Sequence, residues 1–535
     1  MAIPHFKPAW LAIALALVSA PAGIARAMPM NDENLLNIAE NIHAPEFAPV
    51  EWLNTDKPLK LADLKGQVVL IDFWTYCCIN CMHIFPDLRF LEEKYHDQPL
   101  VVIGCHSGKF SQEKDAANIR QAILRHNISH PVAVDSDFAI WKSFSVRAWP
   151  TLAIIDPEGN VVGLVSGEGH REGLDRAIAK LLADHKKKGT LKSPMKFRME
   201  RESFATGVLE FPGKVLADPQ SQRLVISDTN HHRVLISDLS GAIQHVIGAG
   251  TIGLADGPFD KARFHQPQGL ALSADGKKLY VADTENHALR VVDLENKSVA
   301  TLAGNGKQSN DYNANGPGTR TALSSPWDLA LVGDRLYIAM AGTHQIWVYD
   351  IKRSRVSVFA GTGREAGIQG PNRSAAFAQP SGLATDGQVL YVADSEISSI
   401  RSLELKSDGK TSLFAGGGEL FEFGDADGEA DRARFQHPLG VALSGNTLFA
   451  ADTFNHRIRT VDLKTREVAT WLGTGRPDPG TPDKIGLFEP GGLCAAGDTL
   501  YVADTNHHRI LAVDIKSRVV RILDVRPPKS SSAGT

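Results

Sequence analysis

A pattern that recurs six times in the C-terminal part of the chain is the strongest constraint on its fold. Each copy opens with Pro-x-x-aliphatic, continues as an aliphatic strand that closes on a small residue and usually Asp, and passes through a polar turn into another strand. The opening prolines follow one another at intervals of 52 to 59 residues: Pro212, Pro267, Pro326, Pro380, Pro438 and Pro490. Such a unit accommodates four short strands, which is one blade of a β-propeller.

The second copy shows how the four strands are placed. They are predicted at Gly269–Ser273, Leu279–Ala282, Leu289–Asp293 and Val299–Ala303. The repeats therefore predict an all-β, six-bladed propeller over residues 204–525, followed by a disordered tail at residues 526–535.

The residues ahead of the propeller have a different, α/β pattern. Val68–Trp74 is typical of a buried strand and Met82–Tyr95 of an amphipathic helix, so a strand-to-helix junction lies between them. Three further elements are predicted, a strand at Leu100–Gly104, a helix at Ala116–His126 and a strand at Thr151–Ile155. We assign residues 28–185 to an α/β domain and the polar, basic residues 186–203 to a linker.

The first 27 residues have the pattern of a secretory signal peptide. Lys7 precedes an apolar stretch from Ala9 to Ala22, and Ala25-Arg26-Ala27 forms a small-x-small cleavage site. This apolar stretch is shorter than the roughly 20 residues that a membrane-spanning helix needs. We therefore expect an exported, periplasmic protein without a transmembrane segment in the mature chain.

The charge balance excludes one class of partner. The chain has 57 basic and 61 acidic residues, and removal of Lys7 and Arg26 with the leader leaves a net charge of −6. Proteins that neutralise nucleic-acid phosphates need a basic excess. No nucleic-acid partner is expected, and the sequence predicts neither a cofactor nor a metal site.

Three of the five cysteines crowd at the strand-to-helix junction, which indicates chemistry rather than a disulfide framework. Cys78 and Cys81 form a C-x-x-C motif there. Free N–H groups and the macrodipole at a helix N-terminus stabilise a thiolate, the species that attacks disulfides. The alternatives are a fixed disulfide or half of a metal site, although no second C-x-x-C is present to complete a zinc site.

The run Phe73-Trp74-Thr75-Tyr76-Cys77-Cys78-Ile79-Asn80-Cys81 resembles the Phe-Trp-x-x-x-Cys-x-x-Cys motif of thioredoxin folds of the TlpA-like, redoxin type. Pro86 matches the proline that follows the motif in its helix, and Trp149-Pro150-Thr151 is similar to the cis-proline loop of that family. The resemblance covers roughly residues 44–185.

This resemblance implies a role for each matching residue. Cys78 attacks a substrate sulfur and Cys81 resolves the mixed disulfide, while Asp72 exchanges a proton with the second thiol. Pro150 orients the substrate chain, and Trp149 beside it is an accessory residue. The implied partners are protein substrates that carry thiols or disulfides, and a redox partner that the sequence does not identify.

Two departures from the family pattern leave the direction of electron flow open. Cys77 stands where thioredoxins usually have Trp, and Ile79-Asn80 matches neither the common reductase nor the common oxidase dipeptide. Cys77 is either a redox accessory or, as we favour, a thiol packed in an apolar niche. Cys105 and Cys494 are expected in the cores of their domains.

The propeller units resemble NHL repeats. The Asn-His-Arg-Ile signature stands as Asn455-His456-Arg457-Ile458 and, with a second His, as Asn506-His507-His508-Arg509-Ile510. Together with the cysteine motif, the chain resembles the family of NHL-repeat-containing protein 2 and its bacterial relatives over nearly its whole mature length. The implied fold class is a thioredoxin fold followed by a six-bladed NHL propeller, and a propeller alone says little about function.

One histidine per blade occupies what we take as a single turn position in five blades. Residues related by a repeat lie on a ring and usually satisfy turns, so we interpret these histidines, and the repeated Asp, as structural. The histidines assigned to that position are His231, His287, His344, His456 and His507.

Departures from the repeat supply a hypothesis about partner recognition, because a site on a symmetric scaffold must break the symmetry. Blade 3 has Trp327-Asp328 where other blades favour Gly, and Met340 in place of Asp. Blade 4 has Glu396 in place of the Asn-His turn, and blade 1 has Lys214 at the Gly position. We therefore expect these residues to form the partner-recognition face.

The sequence favours a thiol-disulfide oxidoreductase whose propeller recruits or positions protein substrates. The alternative is an interaction scaffold whose propeller carries the function and whose dithiol is regulatory or vestigial. Peroxidase chemistry is disfavoured, because Ile71 stands where the peroxiredoxin signature needs Pro. A hydrolase or lyase in the propeller channel would need convergent metal ligands, which we do not find in the sequence.

Overall fold

A computed structural model describes residues 35–36, 42–204, 207–478, 480–481 and 484–527. The predicted signal peptide and residues 528–535 of the predicted tail lie outside these residues. No helix in the described part of the chain is long and apolar enough to cross a membrane.

The described residues of the N-terminal domain form six strands and four α-helices. They are β1 Glu51–Leu53, β2 Val68–Trp74, α1 Ile79–Lys94, β3 Leu100–His106, α2 Ala116–Arg125, β4 Val132–Val134, α3 Ala139–Ser143, β5 Thr151–Ile155, β6 Val161–Ser166 and α4 Arg171–Lys188.

These strands form one mixed sheet of order β1-β4-β3-β2-β5-β6. The parallel strands β2, β3 and β4 lie side by side, and β5 is antiparallel to β2. All seven residues of β2 are buried because strands flank it on both edges and apolar clusters cover both faces. The thioredoxin-like fold implied by the sequence is confirmed.

Helix α1 begins three residues earlier than the predicted start at Met82. Cys78 is its N-cap residue, and the N–H groups of Cys81 and Met82 both donate to the Cys78 carbonyl oxygen. Pro86 lies inside α1, as the resemblance implies. The C-x-x-C motif therefore forms the N-terminal turn of the helix.

The residues predicted as a linker are packed against the N-terminal domain. Helix α4 extends to Lys188 and is followed by Gly189 with φ of 70°, a left-handed conformation that favours glycine. Beyond it, the Lys192 N–H donates to the Gly66 carbonyl, and Met195 and Phe197 pack on one face of the sheet. Residues 186–203 thus extend the domain.

The C-terminal domain is a propeller of six antiparallel blades with four main strands each, which confirms the predicted fold class. Among the four main strands the innermost comes first and the outermost last. In blades 2 to 5 a further short strand, which precedes the opening proline, pairs with the fourth strand at the outer edge: Gly257–Pro258, Asn315–Pro317, Gly370–Pro371 and Gly428–Glu429. Blade 1 comprises Pro212–Asp218, Arg223–Asp228, Arg233–Asp238 and Ile243–Ile247; blade 2 Pro267–Leu272, Lys278–Asp283, Ala288–Asp293 and Ser298–Ala303; blade 3 Pro326–Val332, Arg335–Met340, Gln345–Asp350 and Arg355–Ala360; blade 4 Pro380–Thr385, Val389–Asp394, Ser399–Glu404 and Lys410–Gly416; blade 5 Gly440–Ser444, Thr447–Asp452, Arg457–Asp462 and Glu467–Leu472; blade 6 Pro490–Ala496, Thr499–Asp504, Arg509–Asp514 and Val520–Ile522.

The end of the chain helps to close the propeller between blades 6 and 1. The Ile243 N–H donates to the Arg526 carbonyl, and the Arg526 N–H donates to the Gly241 carbonyl. The predicted tail boundary at 526 is therefore wrong by at least this residue, since Arg526 pairs with the outer part of blade 1.

The residue before each opening proline has a left-handed backbone, with φ between 46° and 62°. These six residues form a ring at one end of the propeller: Phe211, Gln266, Ser325, Gln379, His437 and Glu489. Most of them contact the thioredoxin-like domain directly through hydrogen bonds or ring packing. The thioredoxin-like domain is therefore seated on this end of the propeller, which we call the docked end.

The repeated histidines join neighbouring blades at the docked end. Each residue of the ring donates its N–H, over 3.0 to 3.3 Å, to a side chain in the turn of the preceding blade. The acceptors are His508, His232, His287, His344, Ser398 and His456. The structural interpretation of the histidines is thus supported, but the predicted register is wrong by one residue in blades 1 and 6.

The corrected register follows from the Asn-His-His-Arg runs of those two blades. His231 and His507, the first histidines of the runs, bind Asp228 and Asp504 instead. In five blades, the repeated Asp accepts a backbone N–H from the residue two positions before the opening proline of its own blade. In blade 3 the Met340 sulfur accepts the corresponding N–H at 3.3 Å.

Candidate functional site

The two cysteines of the C-x-x-C motif differ in their exposure. Cys78 is partly exposed at the N-cap of α1, whereas Cys81 is fully buried one turn into the helix. Burial raises the pKa of Cys81 well above its usual range, and the hydrogen bond from its thiol to Cys78 raises it further. The arrangement pairs an accessible sulfur with a protonated neighbour within bonding reach.

Asp72 is a buried carboxyl group beneath this pair. It lies in β2, opposite Gly104 of β3, and neither carboxyl oxygen has a hydrogen-bond partner among the described residues. Burial raises the pKa of Asp72 well above its usual range. Its charge in turn contributes to the raised pKa of Cys81, so the two groups lie close enough to interact.

The loop before β5 lies beside the end of β2 that leads into the motif. The Trp149–Pro150 peptide bond is cis, and Thr151 pairs with Phe73 of β2. The Trp149 ring packs against Trp141 with centroids 4.7 Å apart. The structure thus contains the cis-proline loop implied by the sequence.

Cys77 is buried beside Glu113, a residue that the sequence analysis missed. The Cys77 N–H and the Thr75 hydroxyl both donate to one Glu113 oxygen, over 2.8 Å and 2.7 Å, and the Phe110 N–H donates to the other. Burial raises the pKa of Cys77 well above its usual range and that of Glu113 to about 7. Cys77 is therefore held as a packed thiol, and Glu113 fixes the loop that enters the motif.

The propeller also contributes a residue to this turn. The side-chain oxygen of Gln379 accepts the Ile79 N–H at 2.8 Å, and its amide nitrogen donates to the Cys77 carbonyl at 2.8 Å. Gln379 therefore contacts the residues on both sides of Cys78. Sequence patterns do not single out Gln379, because the same ring position is also Gln in blade 2, where Gln266 binds the Arg125 carbonyl instead.

A buried ion pair adjoins the motif from the propeller side. Lys109 binds Glu396 of blade 4, and their side chains are only 6% and 5% exposed. The charge of Glu396 also contributes to the raised pKa of the Cys77 thiol. The irregular turn of blade 4 therefore faces the thioredoxin-like domain.

The irregular blade residues, which were predicted to form the partner-recognition face, do not form an exposed surface. Lys214, Asp328, Met340 and Glu396 are buried, and Trp327 packs against the apolar core of the thioredoxin-like domain. The symmetry of the propeller is broken where it meets the other domain of the same chain, and inside its channel.

Lys214 and Asp328 form an ion pair inside the channel of the propeller. The Lys214 ammonium group reaches across from blade 1 to the Asp328 carboxylate at 3.2 Å, and donates to the Ser381 and Leu439 carbonyls at 2.9 Å and 2.7 Å. Both side chains border a cavity of about 220 Å³ that Cys494 also lines. The ion pair thus ties blades 1 and 3 together across the propeller axis.

Two polar clusters complete the interface around the motif. His83 of α1 contacts Glu168 at 2.6 Å and Ser325 of blade 3 at 2.8 Å. On the opposite side, Glu489 of blade 6 accepts hydrogen bonds from Tyr76 and Arg125 over 3.1 Å and 2.9 Å. These contacts hold the motif against the propeller from two directions.

Cys105 is buried in β3 as expected, with its thiol 3.8 Å from an Asp135 oxygen.

Three side chains of types that can bind a metal ion also lie close together. Asp156, Glu158 and His185 place one potential ligand atom each within 4.8 Å of one another. Its members already bind protein groups: Asp156 accepts the Glu158 N–H, and His185 contacts a threonine hydroxyl. We interpret this group as a turn and helix end.

The fold and the cysteine pair define a thioredoxin-like protein joined to an NHL propeller. Comparison with protein families agrees: a thioredoxin-like family matches residues 66–161, and NHL repeats match residues 264–292 and 489–512. NHL repeat-containing protein 2 of Homo sapiens is 41% identical over 526 residues, which cover 91% of this chain and 72% of that protein. The chain belongs to the family of NHL repeat-containing protein 2.

Two further relatives cover different shares of the chain. Protein SUPPRESSOR OF QUENCHING 1, chloroplastic, of Arabidopsis thaliana is 46% identical over 492 residues, and this chain spans only 46% of its length. The thiol-disulfide oxidoreductase ResA of Bacillus thuringiensis subsp. konkukian is 29% identical over 138 residues, which cover 26% of this chain and 76% of ResA. The thioredoxin-like domain thus has a relative named as a redox enzyme.

Proposed function

We propose that this protein is a thiol-disulfide oxidoreductase that acts on protein thiols or disulfides through Cys78 and Cys81. The observation that carries the proposal is the partly exposed Cys78 at a helix N-cap, hydrogen-bonded by a buried Cys81. A helix N-terminus favours the thiolate that disulfide exchange requires. The resemblance of this domain to ResA supports the same chemistry.

In the reducing direction, the Cys78 thiolate forms a bond to one sulfur of a substrate disulfide. The other substrate sulfur leaves with the bonding electron pair and takes up a proton. Cys81 then loses its proton and attacks the Cys78 sulfur, which releases the second substrate thiol and leaves a Cys78–Cys81 disulfide. Two electrons pass to the substrate, and the dithiol of a redox partner must return them to the Cys78–Cys81 disulfide. If the substrate is a dithiol and this protein carries the disulfide, every step runs in reverse.

Asp72 is the proposed proton acceptor for Cys81. Burial raises the pKa of both groups, and the charge of Asp72 contributes to the raised pKa of Cys81, so the two groups interact directly. Pro150 and Trp149 are proposed to face the bound substrate chain, on the strength of the cis-proline loop beside β2. Cys77 takes no part in this scheme, because it is buried and its N–H is bound to Glu113.

Trapping of the mixed disulfide tests the proposal. A Cys81→Ser variant of the full chain retains the attacking sulfur but cannot resolve the intermediate. We expect it to accumulate disulfide-linked adducts that a reductant releases, whereas the Cys78→Ser/Cys81→Ser variant accumulates none. The proposal fails if the single variant yields no more adducts than the double variant.

A second candidate function is an interaction scaffold, and the extensive docking of the propeller around the motif favours it. In a scaffold the dithiol would regulate docking or serve no purpose. Cys78→Ser would then leave the cellular phenotype of the protein intact, whereas it abolishes the function of an oxidoreductase.

We also propose that the protein is exported to the periplasm. The basic residue, apolar stretch and cleavage pattern of residues 1–27 support this location. Fractionation of cells, with determination of the mature N-terminus, tests it; we expect a periplasmic protein that begins at Met28. A cytoplasmic chain that retains its first residues would contradict the proposal.

A further inference from the structure

Among the described residues, Gln379 alone has a side chain that hydrogen-bonds the backbone on both sides of Cys78. It is buried, with 1% exposure, and makes its two hydrogen bonds to the Ile79 N–H and the Cys77 carbonyl. Its own backbone is fixed, because its N–H donates to His344 at 3.0 Å. The propeller thus holds a rigid amide group against the first turn of α1.

The Ile79 N–H is one of the donors that give a helix N-terminus its positive character. Those donors have no partner within the helix, and together they supply the partial charge that favours an anion at the N-cap. In this protein the N-cap residue is Cys78, and the oxygen of Gln379 already satisfies the first of the donors. An acceptor oxygen at that point offsets part of the positive charge that Cys78 would otherwise experience.

We propose that Gln379 is a positioning residue through which the propeller lowers the reactivity of the Cys78 sulfur and holds the motif in one orientation. This inference rests on the proposed function and adds to it a contribution from the second domain. The propeller does more than recruit substrates, because one of its side chains sets the electrostatic environment of the attacking group.

Gln266 offers a matched control. It occupies the same ring position in blade 2, has the same side chain, and its N–H likewise donates to a histidine, His232. Its amide nitrogen binds the Arg125 carbonyl at the end of α2, away from the motif residues that Gln379 contacts. A change at Gln266 therefore disturbs docking without altering the first turn of α1.

The experiment compares Gln379→Met and Gln266→Met with the wild-type full chain. Methionine preserves the length of the side chain and removes its hydrogen bonds. We measure the rate at which iodoacetamide alkylates Cys78 in the reduced protein at pH 7, by mass spectrometry, and the reduction potential of the Cys78–Cys81 couple against glutathione. Neither measurement needs a protein substrate.

We expect Gln379→Met to raise the alkylation rate about threefold, the size of a helix-terminus effect. A threefold stabilisation of the reduced form makes the potential about 14 mV less negative, at roughly 30 mV per tenfold change. Gln266→Met is expected to change neither quantity. The inference is overturned if Gln379→Met leaves both unchanged, or if Gln266→Met changes them equally.

Gln379→Glu provides a second variant should the methionine variant fail to fold. Its carboxylate still accepts the Ile79 N–H and adds negative charge, so alkylation should be slower than in the wild type. An alkylation rate above wild type in this variant would overturn the inference. Absence of trapped adducts together with these rate changes would remove the proposed function and leave the inference standing.

Discussion

The two ends of the propeller are built from the same repeat, but their side chains differ in how much they vary from blade to blade. At the far end, the turns after the third strands are exposed and regular, and an Asp accepts the N–H groups of its own turn. Five blades share this arrangement: Asp238, Asp293, Asp350, Asp462 and Asp514. At the docked end, the repeated Asp is buried, and blade-specific side chains bind the thioredoxin-like domain.

The repeat is therefore largely kept at the far end of the propeller and broken at the docked end. Local turn chemistry that each blade completes by itself recurs in five of the six blades at the far end. Contacts with an asymmetric neighbour require a different residue in each blade, and the ring before the opening prolines supplies them. The docked end should therefore dominate both the stability and the pH response of the protein.

The largest difference is expected between two lysines. Lys109→Met leaves the Glu396 carboxylate buried without its partner, which should lower the free energy of unfolding by about 3–5 kcal/mol. Lys352→Met removes an exposed pair with Asp334 at the far end and should leave the unfolding midpoint unchanged. Urea denaturation of both variants measures the difference. Equal effects would show that docking contributes no more than surface charge.

A pair of aspartates in blade 5 gives the next effect. Asp452 at the docked end is buried, accepts the Gln436 N–H and binds Arg459. Asp452→Asn replaces a charged acceptor with an amide and should lower the free energy of unfolding by about 2–3 kcal/mol. Asp462→Asn, in the exposed turn at the far end, should have no detectable effect on thermal unfolding. A larger loss at Asp462 would reverse the comparison.

The third difference concerns the folding stability of the protein at low pH. Burial lowers the pKa of His344 to about 4 from an ordinary value near 6.5, so the unfolded chain binds the proton more tightly. Stability is therefore lost as the pH falls through 6.5 toward 4, and one such histidine lowers the free energy of unfolding by about 2 kcal/mol at pH 5.

His344→Ser should reduce this acid sensitivity. A serine hydroxyl accepts the equivalent N–H in blade 4, where Ser398 binds the His437 N–H at 3.2 Å. The difference in unfolding free energy between pH 7.5 and pH 5 should shrink in this variant. It should be unchanged in His96→Ser, whose imidazole is exposed. An unaltered pH dependence in His344→Ser would contradict the neutral, hydrogen-bond-accepting state of that side chain.

The same contrast explains what could be predicted from the sequence. β2 and β5 have the predicted bounds, because a run of apolar residues or a clear turn marks each of them. The blades were also predictable, since local hydrogen bonds repeat with the sequence. The motif residues Cys78 and Cys81 lie at a helix start because the residues before them form a turn.

The residues that depend on docking were out of reach of sequence reasoning. Gln379 has the same identity as Gln266, so nothing in the repeat distinguishes the one that contacts the motif. Glu396 was recognised as irregular but assigned to an external partner, because irregularity reveals that symmetry is broken and not what breaks it. Glu113 lies in a short 3-10 helix without a motif, and only its burial among three donors shows its importance.

Redox titration of the full chain tests whether Cys78 and Cys81 form the redox couple of this protein. The protein is equilibrated in glutathione buffers of graded potential, and the linked cysteines are mapped by mass spectrometry. We expect a single reversible two-electron transition between the free thiols and a Cys78–Cys81 disulfide, with Cys77 and Cys105 remaining as thiols throughout. A transition that links other cysteines, or no disulfide at any potential, would contradict it.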